Sequence, residues 1–255
     1  MDDIFLTGND LTAREEFCFH RVDQARERIF QSCGKCDHGF IEKRDHDNLL
    51  DIVNEVAIEC DCYKKALMVS ERIVSGVIEK YAVLDEIKFK ADSNSVKLIK
   101  KYIDKIDEAK LDGIGILLCN HENQTDDFDY AKLFASYKIL FSALEKKYSA
   151  HYITAGEYIE LYKSTMNQKD DGSAELLNEI NDVDFLFLDF MNFRFSTNFV
   201  ADKMRGIVYD RIMKGRPIVL ITKMTKKKIV EVFTESIAKI IFSGTVEIII
   251  SKFAK

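Results

Sequence analysis

The sequence predicts an α/β protein: a parallel sheet with helices on both faces, preceded by a small cysteine-bearing ribbon. Three observations carry this prediction. Residues 114–118, 185–189 and 217–222 are short, continuous apolar runs without alternation, as in strands buried on both faces. The segments between them repeat their apolar residues near 3.6 and run long enough for helices. Four clustered cysteines, Cys33, Cys36, Cys60 and Cys62, precede all of this.

In chain order, residues 1–32 are expected to be helical from about Leu11, because Ala13, Phe17, Phe19, Val22, Ala25 and Ile29 fall near one helical face. Residues 39–42 and 56–59 are expected as the two short strands of the ribbon. An amphipathic helix is predicted over 63–80 and a second, rich in Lys and Ile, over about 93–107. After the strand at 114–118, a helix over about 127–147 places Ala131, Phe134, Ala135, Leu140, Phe141 and Leu144 on one side. A strand at 151–154 and a helix at 155–162 follow, then a polar, partly helical stretch at 171–180. The strand at 185–189 ends in an acid, Asp189. A helix at 198–213, the strand at 217–222, further helices and a last strand at 245–250 complete the chain. In such sheets ligands bind beyond the carboxyl ends of the strands.

Composition narrows the class. Of 255 residues, 47% are hydrophobic and 31% charged, an ordinary globular balance. No run approaches the ~18 apolar residues of a membrane span. The opening residues MDDIFLTGND are acidic and lack a signal-peptide pattern, so a cytoplasmic protein without membrane association is expected. The net charge of −6 argues against a generally basic nucleic-acid coat. With one proline, Pro217, and no Gly/Ser-rich linker, the parts are expected to be packed together or joined by a charged helix.

Six cysteines in a cytosolic chain point away from a disulfide framework. Cys33-x2-Cys36 puts two thiols on one turn, with Gly34 giving that turn freedom, and Cys60-x-Cys62 supplies two more after a return strand. Four such donors fit a closed, structural Zn2+ site, with His38 or His46 as a possible substitute for one cysteine. A ribbon this small buries little core, so the metal would supply its folding energy. Cys18 and Cys119 lie outside the pattern and are read as structural.

Cys33-x2-Cys36-x2-Gly39-Phe40-Ile41, then Cys60-Asp61-Cys62-Tyr63-Lys64-Lys65 and a long helix, resembles the zinc ribbon of bacterial and phage replicative helicase loaders of the DnaC/DnaI type. The resemblance continues over about 33–250. Residues 184–189 look like the loaders' Walker B strand, 209–223 like the segment running into their sensor-1 strand, and 237–250 like their closing helix and strand. It implies an AAA+ P-loop NTPase-like core over 81–255. It also implies a helical N-terminus plus zinc ribbon over 1–80 that grips the replicative helicase and helps place it on single-stranded DNA.

The chain departs from that family at its nucleotide motifs. A P-loop needs glycines whose amides wrap phosphate, a Lys for the β/γ-phosphates and a Ser/Thr for Mg2+. The matching stretch, Cys119-Asn120-His121-Glu122-Asn123-Gln124-Thr125-Asp126-Asp127, has no glycine. Asp126 and Asp127 stand where Lys and Thr would be, a repulsion on the order of several kcal/mol toward phosphate. At a helix start the same carboxylates would cap free amides, contributing roughly 0.3–1 kcal/mol. Asp189 remains as the Walker B acid, but Phe190 replaces the second acid. Lys223 occupies the sensor-1 position and Lys239 the position resembling the arginine finger. Phosphoryl transfer relies almost wholly on positioning and charge, so these losses predict an inactive ATPase with no ATP cofactor. Lys223 is expected beside Asp126, Asp127 or Asp189, or else as a solvated lysine.

Lys223, Lys226, Lys227 and Lys228 form a lysine run that reads either as a phosphate contact or as a solvated helix start. No aromatic residues alternate with it for base stacking. The stripe from Phe17 to Ile29 reads either as a helicase-docking face or as packing against the ribbon. The leading expectation is a helicase-loader-like DNA replication protein, of phage or mobile-element type, that contacts the replicative helicase or its loader without hydrolysing ATP. An active ATP-dependent loader with an unusual nucleotide site and a zinc-containing single-stranded DNA-binding protein are the alternatives. Without nucleotide at a subunit interface, a monomer or dimer is expected rather than a ring.

Overall fold

The computed structural model describes residues 11–47, 52–85, 93–122, 129–166 and 171–250. They fall into two compact units, one within Thr12–Asp85 and one within Glu86–Lys255.

The first unit opens with helix α1 (Leu11–Cys33), followed by an antiparallel ribbon of β1 (Phe40–Asp47) and β2 (Ile52–Glu59), then α2 (Asp61–Val74) and α3 (Glu79–Ala82). The ribbon strands are eight residues each and in register from Phe40↔Glu59 to Asp47↔Ile52, twice the length the sequence pattern suggests. The outer half of β1, Arg44 to Asp47, holds no apolar residue, and that of β2, Ile52 to Glu55, does not alternate, which hides both from pattern reading. The helix expected over 63–80 breaks at Ser75 and Gly76, where Gly76 takes φ 85° and the chain turns before α3. Val22, Ala25 and Ile29 of α1 and Ala66, Val69 and Ile73 of α2 are buried, so the described part of the α1 stripe is spent on internal packing. Arg72, also buried, donates to the carbonyls of Ala82 and Leu84 at 3.0 and 2.7 Å and fixes the return of the chain.

The second unit comprises α4 (Ser93–Asp104), α5 (Ile106–Asp112), β3 (Gly115–Cys119), α6 (Asp129–Glu145), β4 (Ala150–Thr154), α7 (Ala155–Met166), α8 (Asp171–Asp182), β5 (Phe185–Asp189), α9 (Asn198–Met213), β6 (Ile218–Ile221), α10 (Lys226–Gly244) and β7 (Thr245–Ile249). The strands form one parallel sheet in the order β4-β5-β6-β3-β7. Strands β3, β5 and β6 are buried along their whole length, which explains their unbroken apolar runs. Gly115 is required by packing: a Cβ there would stand 2.0 Å from the Ile218 carbonyl oxygen of the neighbouring strand. Arg211 of α9 is buried and donates to the carbonyls of Asn181, Val183, Asp184 and Pro217. That one side chain ties the end of α8 to the starts of β5 and β6.

Three helical stretches of this unit differ from the sequence reading. Residue 105 interrupts the stretch after Ser93, giving α4 and α5 rather than one helix. Helix α6 is buried on most of its circumference, including Lys132, Ser136, Tyr137 and Ile139, rather than on a single side. Helix α10 carries a kink at Thr234 (φ 69°, ψ 157°), a region reserved almost entirely for glycine. The Val232 carbonyl nearby accepts from Arg205 Nε at 2.9 Å. No helix among the described residues is long and apolar enough to cross a membrane.

Candidate functional site

The carboxyl ends of β3, β4, β5 and β6 lie side by side, the place where a sheet of this topology presents its ligand site. Asn120 follows β3. Its amide donates to the Met224 carbonyl at 3.1 Å, while Thr222 N donates to the Leu118 carbonyl at 2.9 Å, so the β3 and β6 tips are laced together. The Asn120 side-chain oxygen accepts from Lys132 Nζ. Lys132 is fully buried, one turn into α6. A buried ammonium must have partners, and here the strand tip provides one.

Lys223, just past β6, forms an ion pair with Asp129 in the first turn of α6. Asp129 is a partner the sequence reading did not consider. Asp189, one of the three carboxylates Lys223 was expected to stand near, is buried at the end of β5 and takes the Tyr152 hydroxyl and the Met191 amide (2.6 Å). Burial raises the Asp189 carboxyl above its ordinary pKa, against the pull of those two donors, with Asp129 and Glu157 raising it further. Asn123, Thr125, Asp126 and Asp127 lie outside the described residues.

Phe190, in the position of the second acid, is buried and heads a cluster of rings. Phe193, Phe195 and Phe233 lie 6.0, 5.8 and 5.8 Å away by ring centroid. The lysine run is largely neutralised within the fold: Lys226 pairs with Glu247 and Lys228 with Glu231, while Glu122 accepts from the Lys227 amide at 3.2 Å. Lys239 pairs with Glu235 at 2.8 Å on the exposed face of α10. Cys119 is buried at the end of β3, and desolvation pushes its thiol up to about 12.

In the other unit the four cysteine sulfurs lie within 4.8 Å of one another. Cys33 ends α1, Gly34 turns the chain at φ 58°, Cys36 follows, Cys60 caps α2 and Cys62 sits in the first turn of α2. Cys33–Cys60 and Cys36–Cys62 are 3.6 and 3.2 Å apart, and none is in a disulfide. Tetrahedral zinc with bonds of about 2.3 Å sets its sulfurs about 3.8 Å apart, so the donor set fits the metal in number, type and spacing. The Lys35 amide, then the neighbouring thiols, lower Cys33 to about 7. His38 is turned away, its Nδ1 2.7 Å from Asp37 and its Nε2 3.9 Å from Glu27, and these carboxylates raise its pKa. The His46 side chain lies outside the described residues.

Sequence reasoning missed Lys132, Asp129, Asn120's contact and Tyr152. Lys132 had a signal: it shares a helical face with Ala135, Ser136 and Ile139, an odd place for a lysine unless something polar receives it.

The strand order and helical cover define a parallel α/β core, preceded in the chain by a cysteine ribbon. The DnaC helicase loader has this fold, with a TM-score of 0.53 at 15% identity over 65% of this chain and 93% of that one. DnaI matches at 0.50 and 15% over 65% and 88%, and a candidate primosome component from Streptococcus pyogenes serotype M3 at 0.51 and 12% over 70% and 92%. At such identities the likeness is one of fold. No protein-family model matches the chain, and no curated protein matches it in sequence.

Proposed function

We propose that this chain is a helicase-loader-like DNA replication protein that works by protein–protein contact with a replicative helicase or its loader and hydrolyses no ATP. The observation that carries this reading is the filling of the ligand end of the sheet by the chain's own side chains. Lys132 is committed to Asn120, Lys223 to Asp129 and Asp189 to Tyr152, while an aromatic cluster takes the place of the second acid. A phosphate entering there would have to displace groups already paired within the chain, Lys132 and Asp189 among them buried, and Phe190, rather than an acid that could orient an attacking water, follows Asp189.

Cys33, Cys36, Cys60 and Cys62 hold a structural Zn2+ that, when bound, closes the ribbon and offers no open position for chemistry. The ribbon unit then serves as the partner-binding part. It displays Phe40, Ile41 and Ile58 to solvent, apolar side chains on a metal-closed scaffold too small to hide them.

The test is a tagged pull-down from native cells with and without ATP, paired with equilibrium dialysis against labelled ATP. Recovery of the helicase or its loader regardless of ATP, with no retained nucleotide, is the expected result. Recovery only with ATP makes the chain an active loader. Recovery of single-stranded DNA alone, lost steeply with salt, makes it a DNA-binding zinc protein.

A further inference from the structure

Helix α9 has a buried apolar face and, opposite it, an exposed stripe in which three of five residues are apolar. Val200, Ala201, Met204, Ile207 and Val208 face the core and are buried. The opposite pole carries Phe199, Asp202, Gly206, Tyr209 and Met213, spaced three and four residues apart by turns, and all are exposed. This is the spacing of a helix–helix seam. Phe199, Tyr209 and Met213 are 39%, 40% and 59% exposed.

Gly206 sits at the middle of that seam. A Cβ there would meet nothing within 4 Å, and its φ is not in the left-handed region, so neither packing nor backbone geometry in the fold calls for glycine. Glycine is a poorer helix former than alanine, and its presence removes the side chain where another helix would approach.

The stripe is also complementary to itself. Phe199 lies seven residues before Gly206 and Met213 seven after. Lys203 lies three before and Asp210 four after, on the same flank. Lys203 rests over the rings of Tyr162 and Phe199 at 4.5 and 5.6 Å, and neither Lys203 nor Asp210 has an ion-pair partner among the described residues. A twofold axis through Gly206, with the two α9 helices antiparallel, sets each Phe199 against Met213 of the second copy. It also sets each Lys203 against Asp210 of the second copy, making every contact twice.

We infer that α9 is a self-association surface, crossing α9 of a second copy of this chain at Gly206. This goes beyond the loader reading and does not rest on it. A single helix pair buries a small area, so the dimer forms in the micromolar range.

Sedimentation equilibrium across that range tests it, with circular dichroism melting of each variant as a folding control. The native chain is expected to dimerise. Gly206→Trp and Met213→Glu, both pointing to solvent, are expected to weaken the dimer at least about tenfold without lowering the melting temperature. Lys203→Asp and Asp210→Lys should each weaken it, and the double exchange should restore it to within about threefold, since the two charges meet only across the interface. A native chain that stays monomeric, a dimer indifferent to Gly206→Trp, or a double exchange without rescue each overturns the inference. So does a monomer whose Gly206→Trp variant loses a different protein from a lysate, because the surface then belongs to that protein.

Discussion

The two strands of the cysteine ribbon pair only with each other among the described residues, whereas each inner strand of the core is paired on both sides and buried along its length. An isolated two-stranded ribbon is marginal in water, and a five-stranded sheet between helices is self-sufficient. The ribbon unit brings four sulfur donors together at the junction of two helices beside a small buried cluster, whereas the core rests on apolar area. The polar residues of the two regions differ in the same way. In the ribbon they converge on a place for something external. At the ligand end of the sheet they converge on each other.

Metal removal should separate the regions most sharply. Chelation, or Cys60→Ser, is expected to release the protection of amides within Thr12–Asp85 in hydrogen exchange while β3, β5 and β6 stay protected. Structural zinc contributes on the order of 10 kcal/mol to small domains. Retention of ribbon protection in a metal-free sample, verified by elemental analysis, would show that helix packing alone holds the unit.

The next effect in size concerns Lys132. Lys132→Ala leaves Asn120 unpaired and opens a cavity beside the sheet, so a loss of about 2–5 kcal/mol is expected in urea unfolding. Lys132→Met fills the same volume without the charge and should cost much less, because burying an ammonium is itself expensive. If Lys132→Met is as damaging as Lys132→Ala, the charge and not the volume is what the sheet tip requires. Neither variant should change the ribbon's metal stoichiometry.

How much of this was legible beforehand follows from where the forces act. The runs at 114–118, 185–189 and 217–222 could be read because strands buried on both faces tolerate no polar interruption. The cysteine cluster could be read because thiols at two short spacings have few other uses. The Thr234 kink could not, since its sequence neighbourhood is good helix and the break is tied to Arg205 from a distant helix. Nor could the Lys223–Asp129 pair, which depends on how the first turn of α6 meets the β6 tip and not on composition. The buried Lys132 was visible as a lysine on an apolar face, but its receiver, Asn120, sits twelve residues away in the chain.

Asp189 offers a pH test of the closed rim. Its folded pKa is raised above the unfolded value of about 4, so the group contributes stability that is fully present below that value and is lost as pH rises through the folded pKa. Asp189→Asn keeps the acceptor for the Tyr152 hydroxyl and cannot ionise. The native chain's stability relative to Asp189→Asn is therefore expected to be greatest in acid and to decline toward neutrality. A difference independent of pH would mean that Asp189 ionises in the fold as freely as in the unfolded chain.

The smallest effect should come from Lys223, which sequence reasoning singled out, paired with Asp129, which it did not. Lys223 is 41% exposed and its partner Asp129 23%, so solvent screens the attraction. Lys223→Ala is expected to cost no more than about 1 kcal/mol in a double-mutant cycle with Asp129→Ala. The pair would then mark where the chain has filled its ligand site without being what holds the site shut, a role left to buried Lys132 and the aromatic cluster around Phe190. A coupling of several kcal/mol in 1 M salt would reverse that assignment, since only a desolvated pair survives such screening.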